Sequence, residues 1–312
     1  MKRQLLIAEY LSTPWALMPE RMTAVAGVLA RWQAGIAANA DVLCAVAADR
    51  EARDTKRATN VRAGGGSIAV LPLYGVIAQR ANMANDVSGT GGASTQRFTQ
   101  AFRDAMADES VGQILIDIDS PGGSVYGTGE LAAEILQARA QKPVVAFANS
   151  LAASAAYWVG CAASEFYVTP GGEVGSIGVW QAHQDISKAL DEEGVKITLI
   201  SAGKFKTEGH SYAPLDADAQ AFMQSRVEDY YGAFTKAVAK GRNVAIDAVR
   251  NGMGQGRVLG AEEAAKQGMV DGVMTFDDVI RKMQRNAKAS GKPANKPASR
   301  LAQAQRDIAI LS

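Results

Sequence analysis

Residues 143–158 read Pro-Val-Val-Ala-Phe-Ala-Asn-Ser-Leu-Ala-Ala-Ser-Ala-Ala-Tyr-Trp, and the rest of the chain is organised around this stretch. Its apolar first half, residues 143–149, predicts a buried strand, and residues 155–163 are compatible with a helix. Ser154 therefore lies where a strand turns into a helix, beside the first helical N–H groups, which have no partner within the helix. Such a position suits a nucleophile whose attack creates an oxyanion, although a serine there is also an ordinary helix cap.

The composition is that of a soluble globular protein with little net charge. Of the 312 residues, 47% are hydrophobic and 21% charged, and the formal net charge is +1. Neither nucleic acid nor an anionic membrane is therefore expected as a partner. No stretch reaches the roughly 18 uncharged apolar residues of a membrane span, and the first residues do not form a convincing signal peptide. We expect a cytoplasmic protein.

The residue types that bind metals are scarce. Cys44 and Cys161 have no metal-ligand spacing around them and are expected to be buried thiols in a reducing compartment. The two histidines, His183 and His210, are too few for a zinc site. No metal and no other cofactor is expected.

Three regions differ in composition. Residues 1–60 are rich in alanine and predict a helical extension, which a charged run and the glycine-rich linker at 64–67 separate from the rest. Residues 61–285 alternate strands with helices, and this order predicts an α/β core with parallel pairing and right-handed crossovers. Residues 286–312, rich in Lys, Ala, Pro and Gln, predict a flexible tail.

Within the core, the pattern of apolar residues predicts individual elements, with a mobile loop at 81–95. The predicted strands are residues 68–74, 111–119, 143–149, 165–169 and 195–200. The clearest predicted helices are residues 130–140, 186–193, 217–240 and 276–285, with one more inside 257–273.

Reactive groups collect where parallel strands end at their carboxyl side. The turn Ser120-Pro-Gly-Gly-Ser124 follows one strand, and its paired glycines let backbone N–H groups approach a ligand closely, as an oxyanion hole requires. Ser154 follows the next strand. Lys204 and Lys206 follow residues 195–200, and a lysine there serves as a base only where burial favours its neutral form. His183 and His210 also follow Ser154, so a Ser–His arrangement stays open.

Five motifs, in this order, resemble the serine–lysine peptidases of the signal peptide peptidase A family, and in particular its phage prohead protease (lambda protein C-like) branch. The motifs are Asp119-Ser-Pro-Gly-Gly123, Ala152-Ala-Ser-Ala-Ala-Tyr157, Gly175-Ser-Ile-Gly-Val179, Ser201-Ala-Gly-Lys-Phe-Lys206 and Gly268-Met-Val-Asp271. The phrase Ser12-Thr-Pro-Trp-Ala-Leu-Met-Pro19 is similar to the lead segment of phage-type members.

The resemblance implies a crotonase-like, or Clp-protease-like, fold of ββα repeats with a parallel core. It makes Ser154 the nucleophile and Lys206 the general base, with Lys204 as second choice. It places the oxyanion hole at the backbone N–H groups of Gly123 and Ala155. Ala155 and the alanine after it replace the glycines usual in the family.

Ser176 is the residue that the resemblance assigns to orienting the lysine. In relatives with a single copy of each motif, the serine and the lysine can come from neighbouring subunits. Because this chain also has one copy of each, we expect a homo-oligomer whose active site is shared between subunits.

The implied function is that of a serine endopeptidase that works through an acyl-enzyme. Its expected substrates are phage scaffold, portal or capsid proteins, or the protease itself, cleaved at small residues during prohead maturation. The alternatives are a signal-peptide or general protein-degrading peptidase of a bacterial host and a Clp-like Ser–His peptidase. Outside the peptidases, a crotonase-type acyl-CoA enzyme and an inactive capsid assembly factor also stay open.

Overall fold

The computed structural model describes residues 13–19, 61–63, 66–80 and 92–289. The predictions made for the remainder of residues 1–60, for residues 81–91 of the loop predicted at 81–95 and for the tail from 290 onwards lie outside these residues. At the described end of that predicted loop, residues 93–94 form a short strand and residue 95 begins a helix.

A large sheet built mostly of parallel strands forms the centre of the fold. Its strands, in chain order, are β2 (Val61–Ala63), β3 (Gly66–Tyr74), β6 (Val111–Ser120), β8 (Val144–Ala153), β9 (Glu165–Val168), β10 (Glu173–Gly175), β11 (Val258–Gly260) and β12 (Gly272–Val273). The main path through the sheet runs β11-β10-β8-β6-β3-β2. Off this path, β9 pairs with β8 and with β12. Among these described strands, only two pairs are antiparallel, β2 with β3 and β11 with β10. The predicted α/β class with a parallel sheet is confirmed.

A small second sheet crosses the carboxyl ends of the central strands. It consists of β1 (Trp15–Leu17), β4 (Ile77–Ala78), β5 (Ala93–Ser94) and β7 (Gly122–Ser124), and its order is β1-β7-β4-β5. The long strand β6 is followed by one short strand of the second sheet, β7, and then by a helix, and the long strand β3 is followed by two, β4 and β5, and then by a helix. This repetition is the ββα pattern that the resemblance implies.

Eight helices lie in the described part of the chain. They are α1 (Thr95–Ala107), α2 (Thr128–Ala138), α3 (Ala155–Gly160), α4 (Ser187–Glu192), α5 (Ala217–Arg242), α6 (Ile246–Asn251), α7 (Ala261–Lys266) and α8 (Phe276–Ala289). The predicted helices at 217–240 and 276–285 are confirmed, and α8 continues beyond the predicted end.

The central strands are buried on both faces, which explains their continuous apolar runs. Ile116 and Ile118 of β6 belong to the main core, which α1, α2 and α3 cover. Leu115, which alternates with them, points to a second cluster with Phe147 of β8 and Met283 of α8. Helices on both faces of the sheet therefore fix its position and the direction in which the strand ends point.

Two predictions were wrong. Residues 195–200 have a strand composition but form no strand, because no described strand lies alongside them to provide a hydrogen-bonded ladder. Within the predicted helical extension, residues 15–17 form strand β1 instead, and they are buried against the core. Pro14 and Pro19, on either side, restrict the backbone there to extended conformations.

Candidate active site

Ser154 occupies a sharp turn between β8 and α3. Its backbone has φ 57° and ψ −118°, a conformation that residues with a Cβ rarely adopt. Two backbone hydrogen bonds hold it there, from its own N–H to the carbonyl of Gly175 at 2.7 Å and from the N–H of Trp158 to its carbonyl at 2.9 Å. The hydroxyl caps no helical N–H and bonds to none of the described residues, although the residue is only 1% exposed. The helix-cap interpretation is therefore wrong, and the hydroxyl is left for another role.

Two glycines of β7 lie directly against this serine. A Cβ on Gly122, whose φ is 96°, would be 2.9 Å from the Cβ of Ser154. A Cβ on Gly123 would be 1.9 Å from the carbonyl oxygen of Ile77. Both positions therefore require glycine, and Gly122 lies beside the Ser154 side chain, one residue before the Gly123 N–H. This is the closeness that an oxyanion donor at the Gly123 N–H needs.

The other two groups predicted around the serine are also close to it. Ala155 is the first residue of α3, so its N–H has no partner in the helix. Ser176 follows β10, whose Gly175 pairs with Ala153 of β8. It has φ 53°, is 7% exposed, and donates its N–H to the carbonyl of Arg257 at 2.8 Å. The structure thus brings Ser154, the glycine pair and Ser176 together at one edge of the sheet.

The two candidate lysines lie elsewhere. Lys204 and Lys206 are exposed in a stretch of turns, and the Nζ of Lys204 sits 4.7 Å from the centre of the Phe205 ring. Within the described residues, no hydrogen bond joins either lysine to Ser154. The described residues thus hold the serine and the groups predicted for the oxyanion hole together, without a hydrogen bond from Lys204 or Lys206 to the serine.

The ring of His183 bonds to the backbone of His210, and the ring of His210 bonds within its own segment. Nε2 of His183 lies 3.1 Å from the carbonyl oxygen of His210, and Nδ1 of His210 accepts the N–H of Tyr212 at 3.1 Å. Asp185 accepts the N–H of Ser187 at 2.9 Å, and its hydrogen bonds with Ser187 lower the pKa of its carboxyl. No described contact links these groups to Ser154, so the arrangement is not that of a catalytic triad.

An ion pair between a buried arginine and a partly exposed aspartate, which sequence reasoning missed, anchors the helix after Ser154. Arg242 at the end of α5 forms two hydrogen bonds with Asp271, at 2.8 and 2.9 Å, and its side chain is 8% exposed. Its Nε donates to the carbonyl of Gly268 at 3.1 Å, and the hydroxyl of Tyr157 donates to the carbonyl of Met269 at 2.9 Å. The Gly268–Asp271 motif is thus a clamp that joins α3 to α5, and the signal for it was the motif itself.

The pKa values of the clamp follow from its burial and pairing. Burial alone would raise the pKa of Asp271, but the Arg242 guanidinium and the N–H of Phe166 outweigh it and hold the pKa below its usual value. Burial would likewise lower the pKa of Arg242, and its bonds to Asp271 raise it instead. Both groups are therefore charged near neutral pH.

Cys161, just after α3, is not a competing nucleophile. It is free, only 1% exposed and part of the main core. Burial raises the pKa of its thiol to about 12, so the reactive thiolate form is scarce at neutral pH.

The described residues offer neither a metal site nor a membrane-spanning helix. They contain no cluster of three or more His, Cys, Asp or Glu side chains placed to hold a metal ion. They also include no helix that has both the length and the apolar character needed to cross a membrane.

Comparisons with known proteins give one family match and several similar proteins. Residues 137–290 match the description of peptidase family S49. The chain is 35% identical over 219 residues to the capsid assembly protease C of Escherichia phage lambda, which covers 70% of this chain and 48% of that protein. It is 34% identical over 216 residues to the head-tail preconnector protein GP5 of Enterobacteria phage P21, covering 69% and 42%. It is 32% identical over 225 residues to protease 4 of Salmonella typhi, covering 72% and 35%.

The chain thus spans less than half the length of each of these three relatives. Among solved structures, a membrane-bound stomatin-specific protease superposes with a TM-score of 0.41 at 16% identity, over 69% of this chain and 83% of that one.

Proposed function

We propose that the chain, whose residues 137–290 match peptidase family S49, is a serine endopeptidase that acts through an acyl-enzyme on Ser154. One observation carries the proposal. The Ser154 hydroxyl bonds to none of the described residues, and the residue lies on a strained turn against Gly122. Strain held at a single polar residue marks functional sites, because folding alone would not select it.

The chemistry follows from these neighbours. The Oγ of Ser154 attacks the carbonyl carbon of the substrate, and its proton passes to a base as the new C–O bond forms. The negative charge on the carbonyl oxygen is met by the N–H groups of Gly123 and Ala155. The C–N bond then breaks, the leaving amine takes the proton from the base, and water later releases the acyl group. Loss of one such N–H donor costs about 10²–10³-fold in kcat.

We infer that the base is Lys206 of a neighbouring subunit. A lysine accepts a proton only in its neutral form, which removal from water favours. Lys206 is exposed in the single chain and bonds to no described group near Ser154. A second subunit that covers the lysine and brings it to the serine would meet both requirements, with Ser176 as its hydrogen-bonding partner.

The segment before the lysine supports such an assembly. Residues 195–200 have alternating apolar side chains but no strand partner among the described residues, and Ile200 is 96% exposed. Phe205 is 57% exposed and Phe222 of α5 is 55% exposed. Exposed apolar groups beside an unpaired, strand-like backbone are typical of an interface. A second copy of this chain is therefore the proposed partner.

The proposed substrates are phage head proteins, such as scaffold, portal or the protease itself, cleaved in the host cytoplasm. The support is the identity to two phage proteins, one named a capsid assembly protease and the other a head-tail preconnector protein. The buried alanines around Ser154 favour small residues at the cleaved bond.

A complementation experiment tests the dyad and its sharing together. Ser154→Ala and Lys206→Ala are expressed singly and together, with a phage head protein as substrate. In the joint expression each variant carries a different affinity tag, so that mixed assemblies can be isolated. Each single variant should be inactive. In mixed assemblies, about a quarter of the shared sites combine an intact serine with an intact lysine, so activity should return to about that fraction.

Lys204→Ala is the matched control and should cleave like the unaltered chain. If Lys206→Ala alone keeps full activity, the dyad is wrong. If both single variants are inactive and the mixture stays inactive, the lysine acts within its own chain. If His183→Ala abolishes cleavage and Lys206→Ala does not, a Ser–His mechanism replaces the proposed one.

A further inference from the structure

The strand β1 lies in a slot between two backbones at the active-site edge. On one side it pairs antiparallel with β7, with Trp15 opposite Ser124 and Leu17 opposite Gly122. On the other side Trp15 and Trp180 exchange backbone hydrogen bonds at 2.8 and 3.0 Å. The strand Trp15–Leu17, at the centre of the described residues 13–19, is thus held at both edges directly beside the proposed catalytic serine. We call residues 13–19 the strap.

The register places the strap against the oxyanion group. A Cβ on Gly122 would lie 2.3 Å from the carbonyl oxygen of Ala16 and 2.9 Å from the Cβ of Ser154, so both lie next to the same point. The N–H of Met18 donates to the carbonyl of Pro121 at 3.1 Å. Because hydrogen-bonded pairs alternate along an antiparallel ladder, Ala16 and Gly123 form the next such pair. The Gly123 N–H then faces the Ala16 carbonyl, as it would face a substrate carbonyl.

The side chains of the strap are fully engaged as well. Trp15 is 1%, Ala16 0% and Leu17 1% exposed. Trp15 and Leu17 pack with Val76 and Trp180, and the Trp180 indole N–H donates to the carbonyl of Leu17 at 2.8 Å. Ala16 points the other way, into the main core beside the alanines around Ser154. This alternation is typical of a bound extended peptide, whose successive side chains enter pockets on opposite faces.

We propose that the strap occupies this chain's own substrate groove, so that a substrate segment binds only after the strap has left it. The inference rests on the proposed peptidase function. Attack by Ser154 requires a carbonyl carbon about 3–3.5 Å from its Oγ. The backbone edges that would hold an extended substrate there, those of β7 and Trp180, are already paired with the strap. Two chains cannot use the same ladder positions.

The same contacts define the substrate that replaces the strap. It is an extended polypeptide that adds antiparallel to β7, with a small side chain where Ala16 now lies and large apolar side chains on either side of it. As part of the same chain, the strap competes at an effective concentration on the order of millimolar. Free peptides therefore bind weakly, and substrates held close by the assembly are favoured.

Ala16→Asp tests the proposal by placing a carboxylate where a buried alanine lies, which expels the strap. Ala101→Asp, which adds the same charge on the exposed side of α1, is the control. Fluorescein-labelled casein is the cleavage probe, and the rate of Ser154 labelling by an alkyl fluorophosphonate is measured alongside. We expect Ala16→Asp to raise kcat/KM on casein about tenfold, equivalent to about 1.4 kcal/mol, and Ala101→Asp to leave it unchanged.

A disulfide that ties the strap to β7, which we call the lock, prevents the strap from leaving. This test does not depend on whether Ala16→Asp folds. Trp15 and Ser124 are opposite each other in a pair without hydrogen bonds, where Cα atoms lie about 4.5 Å apart, within the range of a disulfide. Trp15→Cys combined with Ser124→Cys, in a Cys44→Ser background, should lose casein cleavage on oxidation and regain it with dithiothreitol.

The results separate the two proposals. Equal cleavage by the oxidised and the reduced lock, with Ser154 still labelled, would overturn the strap and leave the peptidase proposal standing. A fall in kcat/KM with Ala16→Asp, when that variant melts like the unaltered chain, would also overturn it, because the strap would then be part of the working site. If no variant labels at Ser154 or cleaves casein, the peptidase proposal fails and the strap proposal fails with it.

Discussion

Replacing Ser154 by glycine should make the protein more stable than replacing it by alanine, although both changes remove the nucleophile. At φ 57° and ψ −118° the residue lies outside the ordinary conformations of residues with a Cβ. Such backbone strain costs about 1–3 kcal/mol at functional sites. Alanine keeps the Cβ and therefore the strain, whereas glycine removes both.

The magnitude follows from two opposing terms. Glycine relieves about 2 kcal/mol of strain, the middle of that range. It also loses more conformational entropy on folding than alanine, which costs about 0.5–1 kcal/mol. The glycine variant should therefore be more stable than the alanine variant by about 1 kcal/mol, or by about 2–4 °C in Tm for a domain of this size.

Thermal unfolding of both variants, followed by circular dichroism under the same conditions, measures this difference. Ser225 in the helix α5 provides the control, since it is not among the residues with positive φ. There the order should reverse, with glycine less stable than alanine by about 1 kcal/mol. If glycine at 154 is also the less stable of the two, the turn is not strained and the observation that carries the proposed function is lost.

Three further changes test other parts of the site. Gly123→Ala should lower kcat at least about 10²-fold, the cost of losing one oxyanion donor, because its Cβ would meet the carbonyl oxygen of Ile77 at 1.9 Å; an active variant would remove Gly123 from the oxyanion hole. Because the folded pKa of Asp271 is lowered, its contribution to stability is present above its unfolded pKa of about 3.9 and is lost as the pH falls through the folded value. Denaturant unfolding from about pH 5 to about pH 2 should show the free energy of unfolding falling for the unaltered chain, and Asp271→Asn should lack this part of the fall. The same dependence of that free energy on pH in both proteins would contradict the clamp. Cys161, whose thiol has its pKa raised to about 12, should resist iodoacetamide at neutral pH until the protein unfolds, and rapid alkylation of the native chain would show that α3 opens.

The central strands were predictable from sequence because their burial is visible in their composition. The runs at 111–119 and 143–149 contain the consecutive apolar residues 114–116 and 144–148, as a parallel sheet between helices requires. The turn at Ser154 and the two glycines of β7 were found from residue types, since only glycine allows the backbone contacts seen at Gly122 and Gly123.

The wrong predictions concern segments whose conformation depends on distant partners. Residues 195–200 have the composition of a strand, but composition does not reveal whether a neighbouring strand exists to pair with them. Residues 15–17 lie in an alanine-rich region and pair with β7 and Trp180, far along the chain. Local propensity carries no information about such pairing. The same limit applies to Lys206, whose proposed partner lies in a second copy of the chain.

Reaction of the native protein with an alkyl fluorophosphonate, followed by mass spectrometry of its peptides, tests the central claim most directly. The account predicts one covalent adduct, on the peptide that contains Ser154, and its loss in the Ser154→Ala variant together with all cleavage of casein. A preparation that cleaves casein while Ser154 stays unmodified, or a Ser154→Ala variant that still cleaves it, would contradict the account.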